Sequence, residues 1–126
     1  MNKYGAKKIQ VDGMTFDSKA EYKRWCELKL MERAGEIIDL KRQVPFTICE
    51  SWKIDGITSR ERKYIADFVY YEKYYADDKT IMWKQVVEDV KGYTKGAAYN
   101  MFSLKKALMG KFYGVVVKEI RKGNIR

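Results

Sequence analysis

Two apolar runs that each contain acidic residues dominate the hydrophobic pattern of this chain. One is Tyr64–Tyr70 (Tyr-Ile-Ala-Asp-Phe-Val-Tyr), and the other is Ile81–Lys91 (Ile-Met-Trp-Lys-Gln-Val-Val-Glu-Asp-Val-Lys). Both are rich in β-branched and aromatic residues and have the length of a buried strand. A carboxylate buried in such a strand is costly unless a partner charge or a metal ion compensates it. Two acidic strands that end close together would therefore favour a divalent cation with oxygen ligands.

Alternating and helical spacings predict a mixed order of strands and helices. Alternation marks a ribbon over 8–16 around Asp12-Gly13, a strand over 36–48 with Pro45 at an edge or bend, a hairpin over 49–61, and strands over 62–72, 81–91 and 111–120. Helical spacing marks a helix capped by Asp17 or Ser18 that ends near Ala34 before Gly35, and another from Ala97 to Met109 ended by Gly110. This order predicts one α/β domain over 1–126, with a mixed central sheet flanked by helices and loose basic ends at 1–8 and 121–126.

Side-chain spacing also predicts which faces of these elements are packed. Four apolar residues share one face of the second helix: Ala97, Met101, Leu104 and Leu108. Four tyrosines that we expect to be exposed suit a dimer face, a stacking surface for unpaired bases or a sheet margin: Tyr70, Tyr71, Tyr74 and Tyr75.

The charge balance indicates an anionic partner. Lys and Arg number 26 against 17 acids, which gives a formal net charge of +9, and such an excess favours nucleic acid over a merely solvated basic surface. The chain has no histidine, so mechanisms that use imidazole are excluded and any chemistry relies on carboxylates, lysines and tyrosines. Cys26 and Cys49 lack metal-ligand spacing, and no apolar run approaches a membrane span or a secretory signal. We expect a reducing cytoplasmic setting.

Three acidic residues have open assignments at this point. Glu21 lies on a stripe with Trp25 and Leu28, yet Ser18-Lys-Ala-Glu21 also matches a capping box. Strand alternation places Asp89 on the same face as Lys91 and Glu88 on the opposite face. Asp89 and Lys91 could also form a simple surface ion pair, which contributes little to stability.

Taken together, Glu21 on the first helix, Asp67 in Ile-Ala-Asp-Phe and Asp89-Val90-Lys91 resemble the PD-(D/E)XK nuclease superfamily. Restriction enzymes, phage resolvases and recombination nucleases of that superfamily share an αβββαβ core. The chain is similar to a group of small phage-encoded endonucleases and Holliday-junction-resolvase-like proteins within it. The superfamily often has Glu before x-Lys, whereas this chain has Asp89 with Glu88 adjacent.

The resemblance implies an Mg²⁺-dependent endodeoxyribonuclease of phage recombination or replication, with Mn²⁺ as a substitute metal. Asp67 and Asp89 would bind one or two ions directly, Glu21 would bind a second ion or its water, and Lys91 would orient the attacking water or neutralise the phosphate. Branched or junction DNA is the expected partner, and a homodimer would suit two symmetric cuts. Further candidates would contact the nucleic acid: Lys41, Arg42, Arg62, Lys63, Lys95, Tyr99, Lys105 and Lys106. Tyr99 is also compatible with a place in the core.

Two interpretations from other functional classes are also compatible with the sequence. A catalytically inactive nucleic-acid-binding module on the same fold would bind DNA equally well with or without Mg²⁺. A protein that binds and blocks a host factor would need an acidic target to suit the net charge of +9.

Overall fold

The computed structural model describes residues 7–92 and 95–121, which form an α/β arrangement with a mixed central sheet. The elements in chain order are β1 (Ile9–Val11), β2 (Met14–Phe16), α1 (Lys19–Arg33), β3 (Ile37–Cys49), β4 (Trp52–Ile54), β5 (Ile57–Ser59), β6 (Arg62–Tyr75), β7 (Ile81–Lys91), α2 (Ala97–Tyr113) and β8 (Lys118–Arg121). The predicted α/β class, with a mixed central sheet and two helices, and the predicted order of elements along the chain are confirmed. The predicted loose ends lie outside the described residues except for 7, 8 and Arg121, and Arg121 belongs to β8.

The central sheet has the order β3-β6-β7-β8. β6 is antiparallel to both β3 and β7, whereas β8 runs parallel to β7. β3 is an edge strand and therefore tolerates Pro45, as its sequence predicts. The pairs β1-β2 and β4-β5 form separate small hairpins.

The two helices pack on opposite faces of this sheet. On the α1 face, Leu28 packs in a core with Ile37, Phe68 and Tyr70. On the α2 face, the helix contributes Phe102 and Met109 to a core that also contains Tyr64, Ala66, Val69 and Val87. Each strand of the sheet centre is therefore buried on both sides, which explains its nearly continuous apolar sequence.

Local turn and cap signals have the predicted structures. Asp12 and Gly13 both have positive φ, 51° and 79°, as a two-residue hairpin turn requires. Ser18 caps α1, and its hydroxyl accepts a hydrogen bond from the Glu21 amide at 3.1 Å. Gly35 follows the helix with a φ of 80°.

The boundary between the second helix and the last strand was predicted wrongly. Gly110 lies inside α2, which continues to Tyr113 and is ended by Gly114 in the left-handed conformation. The Tyr113 ring packs edge-on against Phe46 with 5.2 Å between ring centroids, and its hydroxyl donates to the Thr47 carbonyl at 2.8 Å. These tertiary contacts hold an additional helical turn that glycine propensity alone disfavours.

Two predictions of packed or exposed faces are also wrong. Met101 and Leu104 are 54% and 55% exposed, whereas Phe102 is 4% exposed. Of the predicted stripe, Leu108 does pack against the core. The packed face is otherwise displaced by about one residue, or roughly 100°, because Phe102 contacts the rings of Tyr64 and Tyr99. Tyr70 was expected to be exposed, but it is buried under α1.

Candidate metal-binding and catalytic site

Asp67 lies where the regular alternation of β6 breaks. Ala66 belongs to the core under α2, yet Phe68 belongs to the core under α1, although residues two apart normally share a face. On the neighbouring strand β3, Val44 pairs with Ala66 and Arg42 pairs with Phe68, so Gln43 lies opposite Asp67. The backbone φ of Gln43 is +54°. A left-handed backbone is uncommon for glutamine and marks a local distortion. This distortion places the Asp67 side chain between the two faces of the sheet.

The Asp67 carboxylate is held at the point where β6 and β7 separate. Their ladder ends at the pair Phe68–Glu88, while β7 continues beside β8 to Lys91. One Asp67 oxygen accepts a hydrogen bond from the Val90 amide at 2.8 Å. The other lies 3.4 Å from the side-chain nitrogen of Gln43. The Asp67 carboxylate thus accepts the hydrogen bond that a backbone carbonyl of β6 would otherwise accept from β7. This contact fixes Asp67 beside β7, the strand that carries Asp89.

Glu21 makes a contact of the capping type and also lies beside the other acids of the candidate site. One carboxylate oxygen accepts from the Asp17 amide at 2.9 Å, one position before the Ser18 amide of a standard capping box. The other oxygen accepts from the same Gln43 nitrogen that approaches Asp67, at 3.0 Å. Burial raises the pKa of Glu21 above its ordinary value.

Asp89 and Lys91 lie together on the α2 face, as strand alternation predicts. The Lys91 ammonium is 2.9 Å from one Asp89 oxygen and 4.0 Å from the centre of the Phe102 ring. The Tyr64 hydroxyl donates to the other Asp89 oxygen at 2.5 Å. Burial and the charge of Asp89 raise the pKa of Tyr64, so this phenol remains a donor. Asp89 is therefore fixed at both oxygens.

Glu88 points to the opposite face and has its own counter-ion. The Arg24 guanidinium forms a two-point contact with its carboxylate, at 2.8 Å from Nε and 2.6 Å from Nη2. The Tyr70 hydroxyl also donates to Glu88. The hydrogen bond to Glu88 raises the pKa of Arg24, which keeps the guanidinium charged. Of the two adjacent acids, Glu88 thus has a structural role.

Asp17, Glu21 and Asp67 form a group of carboxylates whose oxygens lie within 4.8 Å of one another. Burial, together with the charges of Asp89 and Glu21, raises the pKa of Asp67 to about 8. A cation that neutralises these charges would remove the part of the shift that the neighbouring carboxylates cause. The donor set consists of hard oxygens, so it suits Mg²⁺ or Mn²⁺.

Several residues of the site were not among the sequence-predicted ones. Asp17 was one of the two predicted caps of α1, and its position was a usable signal because it puts a second acid near Glu21. Gln43 could have been found only from the β3–β6 register, which places it opposite Asp67. Tyr64 lies in one of the two acidic runs, but the sequence does not show that its hydroxyl faces Asp89.

The predicted nucleic-acid contacts differ in their surroundings. Arg42 lies 3.8 Å from Glu21 and 4.3 Å from the centre of the Phe16 ring, so it belongs to the acidic site. Tyr99 and Lys106 both donate to Glu119, at 2.9 and 2.8 Å. Burial opposes ionisation of Glu119, but these hydrogen bonds and nearby cations lower its pKa. Four of the other candidates are exposed and one, Lys105, is half-buried: Lys41, Arg62, Lys63, Lys95 and Lys105.

Comparison with known proteins assigns the chain to a family without assigning an activity. The family model described as "Protein of unknown function (DUF1064)" matches residues 1–123, so the chain belongs to this family. No curated protein and no solved structure matches it. Over the part of the chain that the structure describes, neither helix is long and apolar enough to cross a membrane.

Proposed function

We propose that this protein is a metal-dependent endonuclease that hydrolyses phosphodiester bonds in DNA. The observation that carries the proposal is an acidic site on a basic protein. Four carboxylates contribute to this site, Asp17, Glu21, Asp67 and Asp89, while its contacts include two cations, Lys91 and Arg42. A chain with a net charge of +9 is suited to bind a polyanion, and a site with excess negative charge is suited to hold a divalent cation.

The residues divide into two functional groups in this proposal. Asp17, Glu21 and Asp67 would hold the cation, with Asp89 on the other side of Asp67. A divalent cation bound there would polarise a phosphate oxygen and lower the pKa of water. Lys91, held by Asp89 at 2.9 Å, would donate hydrogen bonds to the phosphate or to the attacking water. Tyr64 would act as a positioning residue, since its hydroxyl orients Asp89.

Branched or junction DNA is the proposed substrate, met in the cytoplasm of a bacterial host during phage recombination or replication. Exposed cations such as Lys41 and Lys95 would contact phosphates, which position nucleic acid without reading its sequence. Preference for DNA structure over DNA sequence is consistent with this type of contact.

The test is incubation of the protein with labelled four-way junction, flap, single-stranded and duplex DNA, with Mg²⁺, Mn²⁺ or EDTA. We expect cleavage that requires metal and is greatest on a branched substrate. Asp67→Asn is the matched control, because it keeps the side-chain shape and removes the charge. Binding that is unaffected by metal, with no cleavage of any substrate, would support the inactive binding module and contradict the proposal.

A further inference from the structure

The ends of β6 and β7 that are remote from the acidic site form an exposed apolar ribbon. Tyr75 lies eight residues beyond Asp67 along β6, or about 26 Å in an extended strand. Large side chains here are between 37% and 64% exposed: Tyr71, Tyr74, Tyr75, Ile81, Met82 and Trp83. Contiguous exposed apolar surface of this kind is typical of an interaction site.

These side chains cover both faces of the ribbon. Tyr74 pairs with Met82 across the strands, on the same face as the buried Tyr70. Tyr75 pairs with Ile81 on the other face, which also carries Trp83. A partner that covers only one face would leave the other apolar face in water. A partner strand added beside the ribbon would contact both.

The outer edge of β7 offers a position for such a strand. β8 pairs with Glu88–Lys91, so among the described strands Ile81–Val87 has a neighbour only on the β6 side. The stretch Ile81–Gln85 contains no proline, and Lys84 is its one charged residue; proline and several charges are the features that commonly block pairing at a sheet edge. Backbone hydrogen bonding and side-chain burial would therefore act together at this edge.

The local charge identifies the kind of partner. Residues 71–85 contain three acids and three lysines, so this segment is neutral while the whole chain has a net charge of +9. Two copies that met through a basic surface would repel each other, whereas two ribbons would not. Another exposed apolar stripe, with Met101 and Leu104, lies on a helix that has three lysines and no acid. That stripe is consequently a poor surface for self-association.

We propose that β7 pairs antiparallel with β7 of a second copy, over Ile81–Gln85, to form a two-fold symmetric dimer. Antiparallel pairing of one segment with itself is isologous, which is the usual symmetry of a homodimer. Each chain turns away at 76–80, before it reaches β8 of the other copy. The two central sheets become one continuous sheet, and the acidic sites lie toward its opposite ends.

Sedimentation equilibrium of the full chain tests this proposal directly. We expect a reversible dimer whose dissociation constant rises by roughly thirtyfold or more in Ile81→Lys/Trp83→Lys, the effect of removing central apolar contacts. Met101→Lys/Leu104→Lys is the matched control, since it adds the same charge to side chains of similar exposure, and it should leave dimerisation unchanged. Both variants alter exposed residues, and circular dichroism of each variant checks that it is folded.

Hydrogen exchange of the wild-type protein at several concentrations locates the interface without any substitution. Amides within Ile81–Gln85 should become more protected as the dimer forms. A monomer at all concentrations, a dimer without protection at these amides, or a dimer that is lost only in the α2 variant would each overturn the proposal.

Discussion

Two adjacent acids of β7 show how the two faces of the sheet differ. Glu88 is buried against α1, where Arg24 and Tyr70 satisfy its carboxylate. Asp89 is buried on the α2 face, beside the further acid Asp67, whose pKa is raised by burial and then by the charge of Asp89. Glu88 thus has its own counter-ion, the Arg24 guanidinium. Asp89 also contacts a cation, Lys91, but it belongs to a group of four carboxylates, with Asp17, Glu21 and Asp67, whose contacts include two cations, Lys91 and Arg42.

In the proposed function, this difference separates a structural charge, Glu88, from a functional one, Asp89. A buried ion pair with good geometry is self-sufficient, and removal of one partner leaves a costly isolated charge. A group of carboxylates that raises the pKa of its own member is stable only if it holds a proton or a cation. Burial alone does not make this distinction, because Glu88 and Asp89 are 0% and 5% exposed.

Substitution of each adjacent acid by its amide should give opposite results. Asp89→Asn should lower DNA cleavage by about 100-fold or more, as loss of a charged group at a reacting centre does, and should leave the fold intact. Glu88→Gln should lower the free energy of unfolding by about 3 to 5 kcal/mol, because the buried Arg24 then loses its two-point charged partner and keeps only Glu27, at 3.7 Å. Denaturant melts and cleavage assays on both proteins check this.

The outcome that contradicts the assignment is the reverse pattern. A stable, inactive Glu88→Gln protein together with an active Asp89→Asn protein would place Glu88 in the site. The double variant Arg24→Met/Glu88→Gln removes the isolated charge and should recover part of the stability.

The substitution Glu21→Gln tests whether Glu21 serves mainly as a helix cap or mainly as a ligand in the proposed metal site. The amide oxygen can still accept from the Asp17 backbone, so the melting temperature should change little. Cleavage should fall by about 100-fold, because the charge that would hold the cation is lost. Full activity on a folded Glu21→Gln protein would remove Glu21 from the site.

The pH dependence of stability should reflect Asp67. Its pKa of about 8 in the folded protein lies above the ordinary value of 3.8, so the folded state retains a proton that the unfolded chain has released. The free energy of unfolding without metal should therefore decrease as pH rises from about 4 to about 8. Asp67→Asn should be less sensitive over that range. Equal slopes for the two proteins in parallel denaturant melts would refute this assignment.

Two tyrosines provide the smallest and most closely matched comparison. Tyr70→Phe and Tyr64→Phe each remove a hydroxyl that donates to a buried carboxylate, so each should cost about 1 to 3 kcal/mol of stability. Only Tyr64→Phe should also weaken metal binding, measured by calorimetry with Mn²⁺, because Asp89 loses its orientation. Equal metal affinity in both variants would mean that Tyr64 has no part in the site.

The sequence predicted the elements of this fold better than the contacts between them. Alternation alone placed Glu88 and Asp89 on opposite faces, because the side-chain period of a strand is local. The prediction that Met101 and Leu104 lie on the packed face of α2 was wrong. Packing of the Phe102 ring near Tyr64 decides which face of the helix is buried, although the apolar spacing at Met101 and Leu104 is more regular. Such contacts depend on tertiary structure and have no local signal.

The candidate site shows the same limit. Glu21, Asp67, Asp89 and Lys91 were identified from their order along the chain, and the structure brings them close together. The contribution of Gln43 depends on a left-handed residue within β3, which neither propensity nor spacing predicts. Arg24 lies one turn after Glu21 on α1, but only the sheet position of Glu88 shows that it is a counter-ion.

The most direct test of the central claim is the melting temperature of the wild-type protein and of Asp67→Asn as Mn²⁺ or Mg²⁺ is titrated. A ligand that binds only the folded state stabilises it by mass action. We predict that metal raises the melting temperature of the wild type and of Tyr70→Phe, which changes only the Glu88 face, and leaves Asp67→Asn unchanged. A wild-type melting curve that is unaffected by millimolar metal, or an equal response from Asp67→Asn, would contradict a cation site at these carboxylates.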